Sequence, residues 1–404
     1  MTGIKLLAPE EIAAIQSPIA RARWLPGRLY GEADVYRNEK ERIFKREWLP
    51  ITVAKKLAKP GDFHAFKMAG EPLVLTRDAR GELRCMYNVC RHRGMNLVEG
   101  NGNAKLLVCR NHRWAYDLGG RLAHAPGMEG SDTFRSESPV CLKQVRTEIW
   151  NGIVFINMDP DAKPLAPELA GLDEIVAAWK ISDLEILSEQ SFEFEGVDWK
   201  VILENGVEGY HVASVHPGAE PIIPADLSFG TGEQGAKWAQ LHHPFSDAYR
   251  ATIANARKLR DADLVDQRVG YKSVLPVMEG LPDIGYERLI FNFIWPGGSI
   301  TLSPDRVTIY FARHNNHNGR EFLVFTLVPA ATLESTELHH FRSTTTDGVM
   351  LVGKEDMDIC RGVQEGMRSG GWKPFAYSNP MEHCIWSFHN WYANRMAAEH
   401  PSGA

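Results

Sequence analysis

Apolar residues recur along this chain with two periods, and the period changes with position. Between 49 and 157, short runs such as 63–67, 72–76 and 152–157 are rich in Phe, Val, Leu and Ile, and Pro60-Gly61, 78–81 and Gly119-Gly120 punctuate them. Brief apolar runs closed by turn residues predict strands, so this stretch reads as a small all-β domain. Ahead of it, residues 1–48 read as a peripheral helical arm, entered at Ala8-Pro9-Glu10-Glu11 and held to the body by Trp24 and Trp48. Beyond it come a Pro- and Ala-rich connector over 158–185, with a short helix ending near Trp179, and strand over 185–196. A long polar insertion over 219–286, with a helix-like run over 247–260, is the kind of segment that covers a site. Period two then returns. Leu289, Phe291, Phe293 and Trp295 alternate with Ile290, Asn292 and Ile294, and runs at 307–314 and 321–328 complete an antiparallel meander. Core packing is favoured over pocket walls for those aromatics. A long helical period closes the pattern, so the expected class is α+β: an arm over 1–48, a β domain over 49–157, and a sheet wrapped on a long helix over 158–404.

Composition narrows the function classes. The 404 residues are 44% hydrophobic and 24% charged with a net charge of −6. These are globular values with no basic face for nucleic acid and no polybasic membrane anchor. No run approaches eighteen uninterrupted apolar residues, and Glu10 and Glu11 interrupt any signal-like start, so no span or leader is expected. Six cysteines in such a chain do not form a disulfide framework, and the expected compartment is the reducing cytoplasm. Cys85, Cys141, Cys360 and Cys384 read as small buried apolar groups.

The densest chemistry lies at 198–217, a helix capped by Asp198 that carries Glu204, Asn205, Glu208 and His211, with His216 five residues further on. On a regular helix His211 and His216 stand about 140° apart, so the helix must break if both are to reach one ion. Gly209 and Pro217 permit that. Two histidines after a carboxylate suggest a mononuclear metal site with open positions; a core helix with two satisfied histidines is the competing reading. His242-His243 is also tempting, but adjacent residues seldom bind one ion, and the pair reads as part of a solvated loop.

A second cluster, Cys90-Arg91-His92 and Cys109-Arg110-Asn111-His112, tips the balance. Residues two apart in extended chain point the same way, so Cys90 and His92 converge. Two thiolates and two imidazoles in this order match a Rieske [2Fe–2S] centre. A structural zinc site is the rival, but a single residue between ligands is unusual for zinc.

Taken together, Cys90-x-His92, Cys109-x2-His112 and Glu208-x2-His211-x4-His216 resemble the α subunit of Rieske non-haem iron, aromatic-ring-hydroxylating oxygenases over nearly the whole chain. The runs 90–97 and 198–205 resemble that family's flanking sequences too. In the second loop Asn111 stands where the family usually has Tyr, and Arg113 where it has Gly, before Trp114; Glu208 stands where Asp is commoner. The resemblance implies an N-terminal Rieske domain and a C-terminal helix-grip catalytic domain. It implies a [2Fe–2S] cluster on Cys90, His92, Cys109 and His112, and Fe(II) on His211, His216 and a carboxylate of the C-terminal helix. Glu355, Asp356 and Asp358 compete for that role. With Asp356 at zero on a helical wheel, Val349, Val352, Ile359, Cys360, Val363 and Met367 fall within about 60°, whereas Glu355 lies about 100° off and Asp358 about 160°. A carboxylate inside an apolar stripe needs a cation, so Asp356 is selected, as the resemblance also selects it.

The resemblance further implies dioxygen activation with electrons from a separate NAD(P)H-dependent reductase or ferredoxin. No Gly-x-Gly-x-x-Gly follows a strand here to bind a nucleotide. It implies a head-to-tail homotrimer, with or without a β subunit, in which the acid at Glu208 joins histidines of the two centres across subunits; Asn205, three residues before Glu208, is placed to add a polar contact. Its branches hydroxylate aromatic acids or demethylate methoxy compounds and quaternary amines. The run 208–212 leans to the aromatic branch; for an amine, Trp295, Trp372 and Tyr377 could form a cage. An electron-transfer Rieske protein without a second iron is the remaining alternative.

Overall fold

The computed structural model describes residues 6–136, 139–256, 276–317, 319–335, 338–379 and 381–397. The chain divides into two compact units, 44–165 with 313–315, and 1–43 with 166–312 and 316–404.

In the smaller unit, ten strands follow the expected punctuation: β1 (Leu49–Val53), β2 (Asp62–Met68), β3 (Glu71–Arg77), β4 (Leu83–Tyr87), β5 (Asn101–Asn103), β6 (Leu107–Val108), β7 (Ala115–Tyr116), β8 (Leu122–His124), β9 (Gln144–Trp150) and β10 (Ile153–Asn157). Seven form an antiparallel sheet in the order β1-β10-β9-β4-β3-β2-β5, and β6-β7-β8 form a small second sheet. Between the sheets lies a core of Val74, Met86, Leu97, Leu107, Tyr116 and Leu142, and it includes Cys90 and Cys109. A thiol does not need water, so both cysteines are accommodated at 2% exposure.

The larger unit begins with the arm, which contains α1 (Pro9–Ile15) and α2 (Ala33–Glu39). It is less peripheral than expected: Leu25, Leu29 and Tyr30 are fully buried, and Trp24 stacks on Tyr377 with ring centroids 5.5 Å apart. The sheet runs β11 (Glu185–Glu195), β17 (Gly319–Val328), β16 (Val307–Asn316), β15 (Gly298–Leu302), β14 (Arg288–Ile294), β13 (Trp238–Pro244) and β12 (Phe229–Thr231). Four helices matter to the site: α3 (Trp199–Gly206), α4 (Val212–Val215), α5 (Leu338–Arg368) and α6 (His383–Ala397).

Several expectations are corrected here. The 219–286 stretch is not simply an insertion, because it supplies two strands of the sheet. His242 and His243 sit in β13 at 8% and 3% exposure, buried rather than in a solvated loop. β15 was not anticipated, since Gly298-Ser299 hides its short apolar run. The helix over 247–260 is seen as Asp247–Ala256; residues 257–260 lie outside the described residues. Cys141 is exposed, unlike the other cysteines. On α5 the apolar stripe is narrower than the wheel implied: Cys360 and Met367 are buried, but Ile359 and Val363 are about two-fifths exposed. Among the described residues, no helix is long and apolar enough to cross a membrane.

Candidate metal centres

The site is positioned by the start of α3. Asp198 Oδ1 accepts from Lys200 N at 2.8 Å, the expected cap. The same carboxylate accepts from Gly31 N at 2.7 Å and lies 2.9 Å from Lys200 Nζ. Lys200 is wholly buried and also bonds Glu39 Oε1 at 2.6 Å, while Tyr392 and Trp199 donate to Glu39. Burial by itself raises the Glu39 pKa and lowers that of Lys200, but Asp198 and Glu39 outweigh burial at the lysine and hold it protonated. This network fixes α3 to the arm. Removing one member would strand a buried charge at a cost of about 3–5 kcal/mol.

The helix stops at Gly206 and resumes at Val212, which is the break the ligand spacing required. Gly209 stands in the gap. A Cβ there would lie 2.7 Å from Ser228 Cβ and 2.8 Å from His243 Cε1, so only glycine fits. His211 and His216 flank α4, and their Nε2 atoms lie 3.6 and 3.0 Å from Asp356 Oδ1. Among the described residues these three are the group of His, Cys, Asp or Glu whose donor atoms come within 4.8 Å of one another. Asp356 Oδ1 also accepts from Asn205 Nδ2 at 2.8 Å. Glu208 Oε1 lies 2.5 Å from His211 Nδ1, and its Oε2 accepts from the amides of Tyr210 and His211. Asp358 is three-quarters exposed and pairs only loosely with Arg361, at 3.4 Å.

His216 Nδ1 lies 2.7 Å from Glu355 Oε2, so both imidazoles have Nδ1 taken by a carboxylate and Nε2 turned to the shared centre. Two imidazole nitrogens and a carboxylate on one side, with an open cavity on the other, fit a divalent iron with free positions. Burial alone would lower the His216 pKa, but Asp356 and then Glu355 outweigh it and the net direction is upward. Burial, with His211 and His242 adding, pulls His243 down to about 3, so it is neutral; its Nδ1 is 2.7 Å from Ser228 Oγ.

A cavity of about 350 Å³ opens on this centre. Its walls include Phe192, Phe194, Phe291, Phe293, Tyr310 and Phe322. Phe192 stands opposite Phe322 across β11 and β17, and Phe194 opposite Arg320. The aromatics of β14 thus line a pocket, where core packing had been favoured. Trp295, Trp372 and Tyr377 do not line it: Trp295 is fully buried, and Tyr377 bonds His389 Nδ1 at 2.6 Å. A Phe-x-Phe step at 192–194 was the available signal for the true walls.

In the smaller unit the two Cys–His loops are twins. Cys90 N donates to Met95 O and Gly94 N to Cys90 O; Cys109 N donates to Trp114 O and Arg113 N to Cys109 O. Gly94 and Arg113 hold the same left-handed position, with φ of 76° and 62°. The His92 and His112 rings lie 4.5 Å apart at the unit's surface, and the two thiols lie beneath in the core. Tyr116 OH is 3.5 Å from Cys90 Sγ and accepts from Arg91 N at 3.0 Å. The four donors do not converge within the span of a single ion. A wider group such as [2Fe–2S] suits this donor set of two thiolates and two imidazoles, and a lone zinc does not.

Comparison with known proteins agrees with this chemistry. Residues 183–398 match the family of ring hydroxylating alpha subunits (catalytic domain), and residues 47–139 match the Rieske [2Fe-2S] domain family. The carnitine monooxygenase oxygenase subunit of Escherichia coli (strain K12) is 36% identical over 210 residues, 51% of this chain. The chain spans only 56% of that relative's length. The glycine betaine monooxygenase oxygenase subunit of Pseudomonas aeruginosa is 24% identical over 401 residues, 92% of this chain and 89% of the relative. A solved quaternary ammonium Rieske monooxygenase shares the fold, with a TM-score of 0.77 at 24% identity over 95% of this chain and 98% of that one. The cofactors of these domains are a Rieske cluster and mononuclear iron.

Proposed function

The chain belongs to the ring-hydroxylating alpha-subunit family, and on that premise we propose that it is the oxygenase component of a Rieske monooxygenase acting on a methylated, quaternary amine. The convergence of His211, His216 and Asp356 beneath an aromatic-walled cavity carries this reading. Aromatic acids, favoured by the 208–212 run, become the second reading, because the relatives above act on carnitine and glycine betaine.

Iron in the three-residue centre supplies dioxygen activation, and the cluster on Cys90, His92, Cys109 and His112 supplies single electrons. The chain's own residues do the positioning. Glu208 holds His211 by Nδ1, and Asn205 holds Asp356 by Oδ1. The phenyl faces attract a quaternary ammonium and exclude water. Arg320 lines the same cavity, 4% exposed, with its guanidinium 4.7 Å from the Phe322 ring and no carboxylate in a salt bridge among the described residues. A bare cation would be repelled there, whereas a zwitterion can turn its carboxylate to Arg320 and its methylated nitrogen away. A separate NAD(P)H-dependent reductase delivers the electrons. A head-to-tail trimer is the proposed assembly, supported by exposed Met350, Leu351, Ile359 and Val363 along α5.

The test is a substrate panel with a surrogate reductase, scoring oxygen uptake coupled to product against peroxide release. Coupled oxidation of betaine-type amines, exceeding that of amines lacking a carboxylate, is expected. Coupled ring oxidation of aromatic acids, with no methylated amine consumed, would reverse the two readings.

A further inference from the structure

Glu355 stands about 100° off the apolar stripe on the helical wheel, and as a candidate third ligand it gives way to Asp356. Its carboxylate lies 2.7 Å from His216 Nδ1, across 139 residues of chain. His216 is therefore gripped on both ring nitrogens by consecutive residues of α5, Glu355 on Nδ1 and Asp356 on Nε2 at 3.0 Å. His211 repeats the arrangement with Glu208 on Nδ1. The two orienting acids have different origins. Glu208 is local to its histidine, but Glu355 shares a helix with the carboxylate ligand itself.

We infer that Glu355 is the positioning residue for His216, fixing its imidazole with the proton on Nδ1 and the Nε2 lone pair toward the metal. This rests on the reading of His211, His216 and Asp356 as the iron site. Glu355 can only accept, so Nδ1 carries the hydrogen; Asp356 and Nε2, 3.0 Å apart, would face a bound ion as co-ligands rather than bond each other, which leaves the Nε2 lone pair to ligate. The side chain of His216 is 6% exposed and that of Glu355 29%, so the bond lies at the edge of the centre where geometry matters more than charge. Because Glu355 and Asp356 are adjacent on one helix, a shift of α5 moves a ligand and the orientation of another ligand together.

The experiment measures Fe(II) retention against a ferrous chelator in the full chain, alongside the cluster's EPR spectrum and thermal midpoint. Glu355→Ala is expected to weaken iron binding by about 10–100-fold, with cluster spectrum and midpoint unchanged. Glu355→Gln keeps an acceptor for Nδ1–H and should recover most of the affinity. Asp358→Asn, three residues along the same helix and exposed, should match the wild type. Iron retention in Glu355→Ala equal to wild type, or a loss shared equally by Asp358→Asn, would overturn the inference. His216→Ala separates this from the underlying reading: if it too retained iron, the metal site itself would be misassigned, whereas loss in His216→Ala with none in Glu355→Ala would remove only Glu355.

Discussion

Gly209 joins the two halves of the proposed iron-site motif, and its constraint is steric. Ser228 and His243, whose atoms a Cβ would meet, are each 3% exposed and have no room to retreat. Gly209→Ala should cost about 1–3 kcal/mol, as overpacking does, and should lower iron content because Glu208 and His211 flank the distortion. Thermal unfolding and iron analysis check this together; a variant with wild-type midpoint and iron would show that the gap between α3 and α4 is slack. Residues of this kind set the limit of sequence reading. Glu208, His211 and His216 were legible because their spacing is local. Glu355 was not, since only the fold brings it to His216. Arg113 was recognised as a departure in type, but its left-handed backbone, shared with Gly94, emerges only from the paired loops. There an L-residue occupies a conformation that favours glycine.

At the scale of the element, period was a good guide where each face had one neighbour and a poor one where a face met a cavity. β10 and β14 were placed almost to the residue. The polarity of His242 and His243 predicts a loop at β13, yet both are buried in the sheet. A buried histidine leaves a mark on stability. Burial chiefly, with Arg313 and Lys56 adding, pulls His64 of β2 down to about 3, and burial with Arg288 pulls His242 down to about 4. Both folded values lie below the ordinary 6.5, so between them and 6.5 the unfolded chain binds protons that the native chain refuses. Stability is complete above pH 6.5 and falls as the pH drops through that window, by up to about 1.4 kcal/mol per pH unit for each histidine. Urea midpoints at pH 7.5, 6 and 5 should decline in that order, and His64→Gln should flatten the decline; equal midpoints at all three would mean that the histidines protonate without opening the fold. The helical wheel of α5 selected Asp356, but Ile359 and Val363 are exposed because the helix meets the sheet along a narrower line than its apolar residues span.

Across the whole molecule, the two proposed centres are drawn from residue type and order: thiols and imidazoles in the β unit, imidazoles and a carboxylate in the helix-bearing one. Substrate preference was not legible in this way, because the cavity walls come from β11, β14, β16 and β17, which are dispersed over more than a hundred residues. The two proposed centres share no residue, so each can be removed without touching the other's residues. Iron and acid-labile sulfide should therefore be counted in the wild type and in Asp356→Ala after identical anaerobic reconstitution. About three iron and two sulfide per wild-type chain are predicted, falling to about two iron with sulfide and cluster spectrum unchanged in the variant. Two iron in the wild type, or three retained in Asp356→Ala, would contradict the assignment of His211, His216 and Asp356 as a second iron site.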